Sequence, residues 1–360
     1  MSDKTKIEWC DATWNPIAGC TRVSEGCRNC YAERLAHRFA GPGQHYEGLT
    51  VLRNGALGWS GNVTFYEPRL REPLKWRKPR RIFVNSMSDL FHEAVTDEMR
   101  DRIFAVMALC PQHTFQVLTK RPERMRDYFD DLEGREQAIG VAAGKMLDGN
   151  WIWNEGKQFR KAIEHLIATS LGLEDDGERQ AEERLLPLPN VWLGVSVEDQ
   201  KTADARIPLL LQTPAALRFV SCEPLLGPVD LERITESDDG TRWWRTCLES
   251  GDIWRSEHGE VSDGPEFPTR VDWVICGGES GPGARPMHLD WVRSLREQAN
   301  GAAVPFFFKQ WGDWLPAMCD GTPGEGQILN ASDEAVRVGK KAAGALLDGV
   351  EWKQFPEVGR

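Results

Sequence analysis

The sequence lacks long apolar runs: 41% of its 360 residues are hydrophobic, yet no stretch approaches the roughly 20 apolar residues of a membrane-spanning helix. Its first residues carry no apolar segment of the kind that directs secretion, so we expect a cytoplasmic protein with no membrane partner. The sequence also lacks an H-E-x-x-H motif, a G-x-G-x-x-G loop, a P-loop lysine and a fixed-period repeat. Zincin proteases, common nucleotide-binding folds and repeat scaffolds are therefore unsupported. The net charge of −11 argues against DNA binding over the whole surface.

Cysteine, in contrast, is plentiful and unevenly placed. Three of the nine cysteines, Cys20, Cys27 and Cys30, lie within eleven residues, in a glycine-containing stretch without apolar periodicity that indicates a loop. Without a secretory signal, nine cysteines favour free thiols or a metal site over disulfides. Thiolates at short loop spacings hold iron–sulfur clusters, and three protein ligands leave one metal position for a substrate or cofactor. The stretch therefore predicts an iron–sulfur site.

Zinc is the main alternative at these three cysteines. His37, two turns into the helix predicted after Cys30, would complete a Cys3His zinc set. Cys10 is close enough in sequence to serve as a fourth ligand. The other cysteines are scattered singly, and Cys110 ends an apolar run, as is typical of a core position.

Short apolar segments recur along the chain, and each ends in polar residues. Near-continuous apolar strands are typical of a parallel sheet covered on both faces, and helical patterns between them indicate βα units. The fold class predicted is α/β, a full or partial TIM-like barrel of about six to eight parallel strands, with a doubly wound sheet as the alternative. The predicted strands are Ile82–Val84, Phe115–Leu118, Val191–Val195, Leu217–Val220, Trp273–Ile275 and Phe306–Phe308, with one more between Glu8 and Ile17.

Helical periodicity separates several of these strands. The helix after Cys30 is predicted to carry one apolar face, made of Tyr31, Leu35 and Phe39. Thr96 is suited to cap a second helix, whose face includes Ile103, Val106, Met107 and Cys110. Two further helices are predicted at Asp199–Leu211 and around Leu289, Val292 and Leu295.

Two stretches interrupt the alternation of strands and helices. We interpret residues 134–188 and 232–270 as insertions on a barrel that spans residues 1–315. Residues 316–360 are Gly-rich and weakly patterned, and we assign them to a C-terminal extension.

Polar side chains collect at the carboxyl ends of the predicted strands, where both candidate folds place their active sites. Glu198, Glu223 and Glu279 each follow a strand by a few residues, and such carboxylates can bind an amino group or ribose hydroxyls or act as acid and base. Each alone is also typical of a helix N-cap or a surface charge. Glu198, Glu223 and Lys120 are our catalytic candidates, with Arg121 and Lys309 as further positive charges. Asp89 either faces this site or caps a helix beginning near Leu90.

The stretch from Cys276 to Pro286 is the second most informative one. Gly277 and Gly278 directly follow a strand, where glycine lets a ligand approach the backbone and successive N–H groups can cradle an anion. Arg285 can clamp a carboxylate or a phosphate. The alternative is a glycine turn beside a surface arginine. The cofactor-binding candidates are Gly277, Gly278, Glu279, Ser280, Arg285 and Ser196.

A basic run from Arg69 to Arg81 precedes the first of the long apolar strands. It is either a solvated surface segment or a patch that faces phosphates or nucleic acid, with Trp76 available for stacking.

The three-cysteine loop before a helix resembles the cluster loop of radical S-adenosylmethionine (SAM) enzymes, where three cysteines hold a [4Fe–4S] cluster whose fourth iron is chelated by SAM. The usual spacing in that superfamily is C-x3-C-x2-C, whereas here the first gap is six residues. In those enzymes a Gly-Gly-Glu stretch often contacts the methionine amino group of SAM. Gly277-Gly278-Glu279 is similar but lies late in the chain.

The chain as a whole more closely resembles a phage- and prophage-associated family of unknown function with a C-x6-C-x2-C motif. The resemblance implies radical SAM-like architecture, SAM as cofactor, a reductase or ferredoxin-type electron donor and an unknown substrate, with nucleic acid or a nucleotide favoured by the phage association and the basic run. Alternatives are a non-catalytic binding protein stapled by zinc or a cluster, and a metal-independent hydrolase that uses Glu198 and Glu223. The matching stretches are Trp14-Asn-Pro, Cys20–Tyr31, Ile82–Phe91, Gln116–Arg124, Trp192–Gln200, Phe219–Gly227, Gly277–Pro286 and Phe306–Trp311.

Overall fold

The structure, a computed structural model, divides into two compact units. The first unit consists of Met1–Thr21, Ala32–Leu193 and Thr213–Leu217, and the second of Arg22–Tyr31, Gly194–Gln212 and Arg218–Arg360. Cys20 therefore belongs to the first unit, and Cys27 and Cys30 belong to the second. The structure describes residues 5–146, 185–238, 241–249, 253–256, 261–263, 270–316 and 335–357.

Strands and helices alternate along most of the described chain. The strands are β1 (Ala12–Trp14), β2 (Ile17–Ala18), β3 (Thr50–Arg53), β4 (Ala56–Trp59), β5 (Thr64–Phe65), β6 (Arg81–Val84), β7 (Thr114–Thr119), β8 (Val191–Ser196), β9 (Leu217–Cys222), β10 (Ile234–Asp238), β11 (Thr241–Arg245), β12 (Ile253–Ser256), β13 (Val261–Asp263), β14 (Trp273–Gly277), β15 (Phe306–Gln310), β16 (Trp314–Pro316), β17 (Ala335–Arg337), β18 (Leu346–Leu347) and β19 (Val350–Glu351). The α-helices are α1 (Tyr31–Arg38), α2 (Glu67–Leu70), α3 (Asp97–Ala108), α4 (Pro122–Tyr128), α5 (Leu132–Met146), α6 (Gln200–Gln212), α7 (Leu289–Gly301) and α8 (Lys340–Ala343), and short 3-10 turns lie at Glu25–Cys27 and Pro73–Lys75.

A seven-stranded sheet organises the fold, in the order β1-β6-β7-β8-β9-β14-β15. The pairings β1–β6, β6–β7, β9–β14 and β14–β15 are parallel, and the spatial order follows the chain, as successive βα units produce. The two end strands, β1 and β15, do not pair with each other in the described residues, so this sheet is open. These observations confirm the predicted α/β class and its partial parallel barrel.

All seven predicted strands are present, and six of them contain a run of largely buried apolar side chains, as a strand covered on both faces requires. Thr96 caps α3 as predicted, accepting a hydrogen bond at Oγ1 from the N–H of Met99 at 3.3 Å. The helices predicted at Asp199–Leu211 and around Leu289 are α6 and α7. No helix in the described part of the chain is long and apolar enough to cross a membrane.

The apolar face predicted for α1 is wrong in its direction. The side chains of Tyr31, Leu35 and Phe39 are exposed by 46%, 37% and 53%, whereas Ala32 and Ala36 are buried. Apolar periodicity identifies a stripe on a helix, but a stripe of small alanines lets a helix backbone approach its neighbours more closely than a stripe of large rings does.

The predicted division into a barrel, two insertions and an extension stays a prediction. Of the stretch 134–188, the structure shows the part of α5 up to Met146 and the segment from residue 185, while residues 147–184 lie outside the described residues. Within 232–270, β10 to β13 form an antiparallel sheet of their own. Of the extension, residues 317–334 and 358–360 are not described.

In the second unit, the chain after β14 packs closely against the chain after β15. The N–H of Gly278 donates to the carbonyl of Gln310 at 2.8 Å, and Gln310 Nε2 donates back to the carbonyl of Gly278 at 2.9 Å. A Cβ atom at Gly278 would lie 2.0 Å from the carbonyl oxygen of Trp311. Only glycine fits at this approach of two backbones.

Replacement of Gly278 by alanine is therefore expected to lower the free energy of unfolding by about 2 kcal/mol, because the new methyl group overlaps a backbone oxygen. Denaturant unfolding followed by circular dichroism measures this change. Gly301→Ala is the matched control, since a Cβ atom there meets no heavy atom within 4 Å, and it should change the free energy by less than about 0.5 kcal/mol. Equal unfolding midpoints for the two variants would show that the close approach is absent.

Candidate functional site

In the first unit, Cys20 lies beyond the carboxyl ends of neighbouring strands. Its neighbour Gly19 forms a parallel bridge with Ser88, which lies four residues after the end of β6. Cys20 is half-buried and forms no disulfide, and Arg121 Nη1 donates to its sulfur at 3.8 Å. The cysteine loop thus begins at the edge of the sheet where the sequence predicted a site.

Arg121, two residues after β7, is the centre of a buried polar cluster beside Cys20. Its Nη1 donates to Asp89 Oδ2 at 3.0 Å, its Nε to Glu93 Oε1 at 2.9 Å, and its Nη2 to Thr21 Oγ1 at 2.6 Å. Burial acts to lower the pKa of Arg121, but Asp89 and Glu93 raise it above its ordinary value. The guanidinium is therefore a permanent cation next to a sulfur atom.

Asp89 faces this cluster and does not cap a helix. Its Oδ1 accepts from Thr119 Oγ1 at 2.7 Å, and its Oδ2 accepts from the N–H of Lys120 at 3.1 Å. The residues from Leu90 onward form turns, and the N–H of Phe91 donates to Asp89 Oδ1 at 2.9 Å. Of the two interpretations of Asp89, the structure thus supports the one that places it at the strand ends. Lys120, a catalytic candidate, is half-buried beside it.

In the second unit, the buried carboxylate of Glu198 holds the cysteine loop at the end of β8. Its Oε1 accepts from Ser24 Oγ at 2.8 Å, and Arg206 Nη1 donates to its Oε2 at 3.1 Å. The loop backbone lies directly against this side chain, because a Cβ atom at Gly26 would be 2.4 Å from Glu198 Oε1. Glu198 is only 1% exposed, and these contacts position Cys27 through Gly26, which directly precedes it, and through Ser24. Ser196 contributes its carbonyl, which accepts from Arg206 Nη1 at 2.6 Å.

Glu279 holds the same loop from the end of β14. Asn29 Nδ2, from the residue between Cys27 and Cys30, donates to Glu279 Oε2 at 2.9 Å. Arg285 binds the carboxylate through two hydrogen bonds, from Nε to Oε2 at 2.9 Å and from Nη2 to Oε1 at 2.8 Å. Its Nη2 also donates to the backbone carbonyl of Glu25 at 2.9 Å. Burial acts to raise the pKa of Glu279, but hydrogen bonds from Arg285 and Asn29 lower it below its ordinary value of 4.5.

Glu223 and Lys309 form a third charged group at the strand ends. Glu223 directly follows β9, and Lys309 Nζ donates to its Oε1 at 2.5 Å. The two side chains flank Gly277, where a Cβ atom would lie 3.4 Å from each of them. A carboxylate and an ammonium group in direct contact can hold or pass on a proton, so this pair suits acid–base chemistry.

Within each unit the described contacts connect several predicted site residues, and their functional roles stay predictions. In the first unit, Cys20 lies with Arg121, and Lys120 adjoins them through Asp89. In the second unit, the loop of Cys27 and Cys30 lies with Glu198, Glu279 and Arg285, whereas Glu223 lies with Lys309 and Gly277. Gly278 packs against Trp311, and Ser280 is half-buried.

The residues weighed as extra metal ligands have other contacts. His37 is exposed, and its Nδ1 lies 3.2 Å from Thr50 Oγ1. Cys10 is buried, with its sulfur 3.7 Å from the carbonyl oxygen of Ile7. Across the described ranges, no group of three or more His, Cys, Asp and Glu side chains is arranged to hold a metal ion.

Sequence reasoning missed the partners that fix the loop. Ser24 and Asn29 lie inside the cysteine stretch, and this location was the only sequence signal for them. Arg206 lies eight residues after Glu198 on the following helix, a spacing that brings a long side chain back over the strand end.

A comparison with known protein families shows to which family the chain belongs. Residues 4–356 match the family described as "Protein of unknown function (DUF5131)". The chain belongs to this family. The match covers nearly the whole chain, which confirms the predicted membership of a family of unknown function, and the family description names no reaction. Neither a curated protein nor a solved structure matches this chain.

For this DUF5131 chain, the Glu279–Arg285 contact predicts a pH-dependent contribution to stability. Because the pKa of Glu279 is lowered in the folded state, the contribution is present above about pH 4.5 and is lost as the pH falls through the folded-state pKa. Glu279→Gln is expected to cost about 2 kcal/mol at neutral pH, because it removes the buried carboxylate from Arg285 and leaves only the exposed one of Glu25, 3.4 Å away, and to cost less in acid. Denaturant titrations at neutral pH and at about pH 3 measure both values.

The matched control is Glu297→Gln, which removes a carboxylate that is 70% exposed and 3.2 Å from Arg296. This change should cost less than about 0.5 kcal/mol at either pH, because exposed ion pairs contribute little. A loss at Glu279 no larger than that of the control would contradict the role given to the buried contact.

Proposed function

We propose that this chain is an iron–sulfur enzyme of the radical SAM type, with a [4Fe–4S] cluster held by Cys20, Cys27 and Cys30. The observation that carries the proposal is the anchoring of the cysteine loop at strand ends within each unit. In the first unit Arg121 contacts Cys20, and in the second Glu198 holds the loop beside Cys27. Parallel α/β sheets place cofactors at this edge.

The chemistry of the three side chains fits a cluster. All three cysteines are half-buried and outside any disulfide, and thiolates are the usual ligands of iron–sulfur centres. Polar groups also lie near two of the sulfurs: Arg121 Nη1 donates to Cys20 at 3.8 Å, and Ser24 Oγ lies 3.9 Å from Cys27. Donors to sulfur are one means by which proteins tune such centres. The sequence spacing of the three cysteines supplies the argument that they share one metal centre.

A bound cluster of this type would supply one electron to SAM, whose S–C5′ bond would break to give methionine and a 5′-deoxyadenosyl radical. The chain's own residues have three tasks in this proposal. Glu198 and Glu279 hold the loop, Arg285 fixes Glu279 and the backbone at Glu25, and the Lys309 Nζ–Glu223 pair holds a proton beside Gly277. A reductase or a ferredoxin-type protein is the proposed electron donor, and a nucleic acid or nucleotide is the proposed substrate class.

Anaerobic reconstitution with iron and sulfide tests the ligand set. Wild-type protein is expected to bind about four irons per chain and to show visible absorption that dithionite bleaches. Single Cys→Ser changes at Cys20, Cys27 and Cys30 should each remove most of this iron, because three thiolates are the minimum set. Cys247→Ala is the control: burial raises the pKa of its thiol to about 12, so it is not a thiolate at neutral pH and iron should be retained.

Reduced, reconstituted protein should then bind SAM and release 5′-deoxyadenosine. One tightly bound zinc per chain without SAM affinity would instead support the non-catalytic, zinc-stapled protein. Iron content that is unchanged in all three serine variants would overturn the proposed ligand set.

A further inference from the structure

The first unit contains a cavity of about 580 Å3 that involves none of the three clustered cysteines. Its size falls in the range of small-molecule sites. The residues that line it and carry the argument are Arg38, Phe39, His45, Tyr46 and Arg69. The lining therefore combines two guanidinium groups with aromatic rings, and it contains no carboxylate.

Arg69 is the most unusual of these residues, because a buried guanidinium normally has an acidic partner. Its side chain is 9% exposed, and its Nε has no hydrogen-bond partner. Its guanidinium carbon lies 5.6 Å from the centroid of the Tyr66 ring. The neighbouring carboxylate of Glu67 binds Arg102 instead, at 2.6 Å. Within the described part of the chain no carboxylate forms an ion pair with Arg69, and a buried cation without an anion is costly, so this group favours an anionic ligand.

His45 supports the same conclusion independently. Both of its ring nitrogens are buried without a hydrogen-bond partner, although buried polar atoms are nearly always paired. Its ring lies 4.4 Å from that of Tyr66 and 4.8 Å from that of Tyr46, measured between centroids. Burial and the charge of Arg69 lower the pKa of His45 to about 4, so the imidazole is neutral at neutral pH and has one donor and one acceptor to offer a ligand.

An aromatic ring at the cavity is available to a planar ligand. Phe39 is 53% exposed, and the guanidinium of Arg38 lies 5.7 Å from its centroid. A nucleobase can stack on such a ring, and arginine binds phosphate through paired N–H groups. The ring and the two guanidinium groups thus match the two ends of a nucleotide.

We propose that this cavity binds a phosphorylated nucleoside, with the phosphate on Arg69 and Arg38, the base against Phe39, and His45 completing the polar contacts. The site is independent of the cysteine loop and of any reaction there. It also gives a role to the start of the basic run, because Arg69 is the first residue of that run. Trp76 of the run instead contacts Arg80, at 4.8 Å, and His113, at 6.1 Å.

Isothermal titration of the full-length chain with adenosine 5′-monophosphate tests the proposal. Adenosine and inorganic phosphate should each bind at least about tenfold more weakly, because each lacks one of the two recognised parts. Arg38→Met and Phe39→Ala, both at exposed positions, should each weaken binding of the monophosphate about tenfold. Arg53→Met removes an exposed arginine outside the cavity and should leave the affinity unchanged.

Two further measurements sharpen the result. Nuclear magnetic resonance titration of His45 should show its pKa rising when the monophosphate binds, because a nearby anion stabilises the imidazolium. Competition with a 5′-phosphorylated trinucleotide distinguishes a free nucleotide from the end of a strand, and both carry the proposed chemistry. The proposal is overturned if the monophosphate does not bind, if inorganic phosphate binds as tightly, or if neither variant weakens binding.

Discussion

The contact between the Glu198 carboxylate and the hydroxyl of Ser24 is the interaction on which the candidate site depends most. An ionised carboxylate that is 1% exposed must be paired, and Glu198 gains its partners from the cysteine loop and from Arg206. The same hydrogen bonds therefore stabilise the buried carboxylate and fix the position of the loop. Glu279 repeats the arrangement with Asn29 and Arg285, so that two strand ends of the second unit each contribute a buried acid to the same short loop.

The first unit uses the opposite sign of charge for a similar purpose. There a buried arginine, Arg121, contacts the sulfur of Cys20 and the side chain of Thr21. Asp89 and Glu93 compensate its charge, and Asp89 is itself fixed by Thr119. Within each unit, the loop is attached through charged groups that are held in place by other side chains. Such support is what a cofactor site requires of its surroundings.

Much of the fold could be predicted because its signal is local. Runs such as Phe306–Phe308 are too short for a helix and too apolar for an exposed strand, and six of them separated by helical patterns indicate βα units. The positions of Glu198, Glu223 and Glu279 at strand ends followed from the same reasoning. Their partners did not, because the hydrogen bond from Asn29 to Glu279 joins residues 250 positions apart and no local pattern records it. The buried face of α1 and the unpartnered Nε of Arg69 escaped prediction for the same reason: burial is a property of the packed chain.

The close contact between Gly26 and Glu198 also bears on how the chain can vary. A side chain at position 26 would overlap the carboxylate, whereas a shorter residue at position 198 would release that space and at the same time remove the acceptor of Ser24. Substitutions at the two positions are therefore not independent, and their energetic effects should depart from simple addition, as is usual for residues in direct contact. Relatives of this chain that carry a larger residue at one position are expected to carry a compensating one at the other.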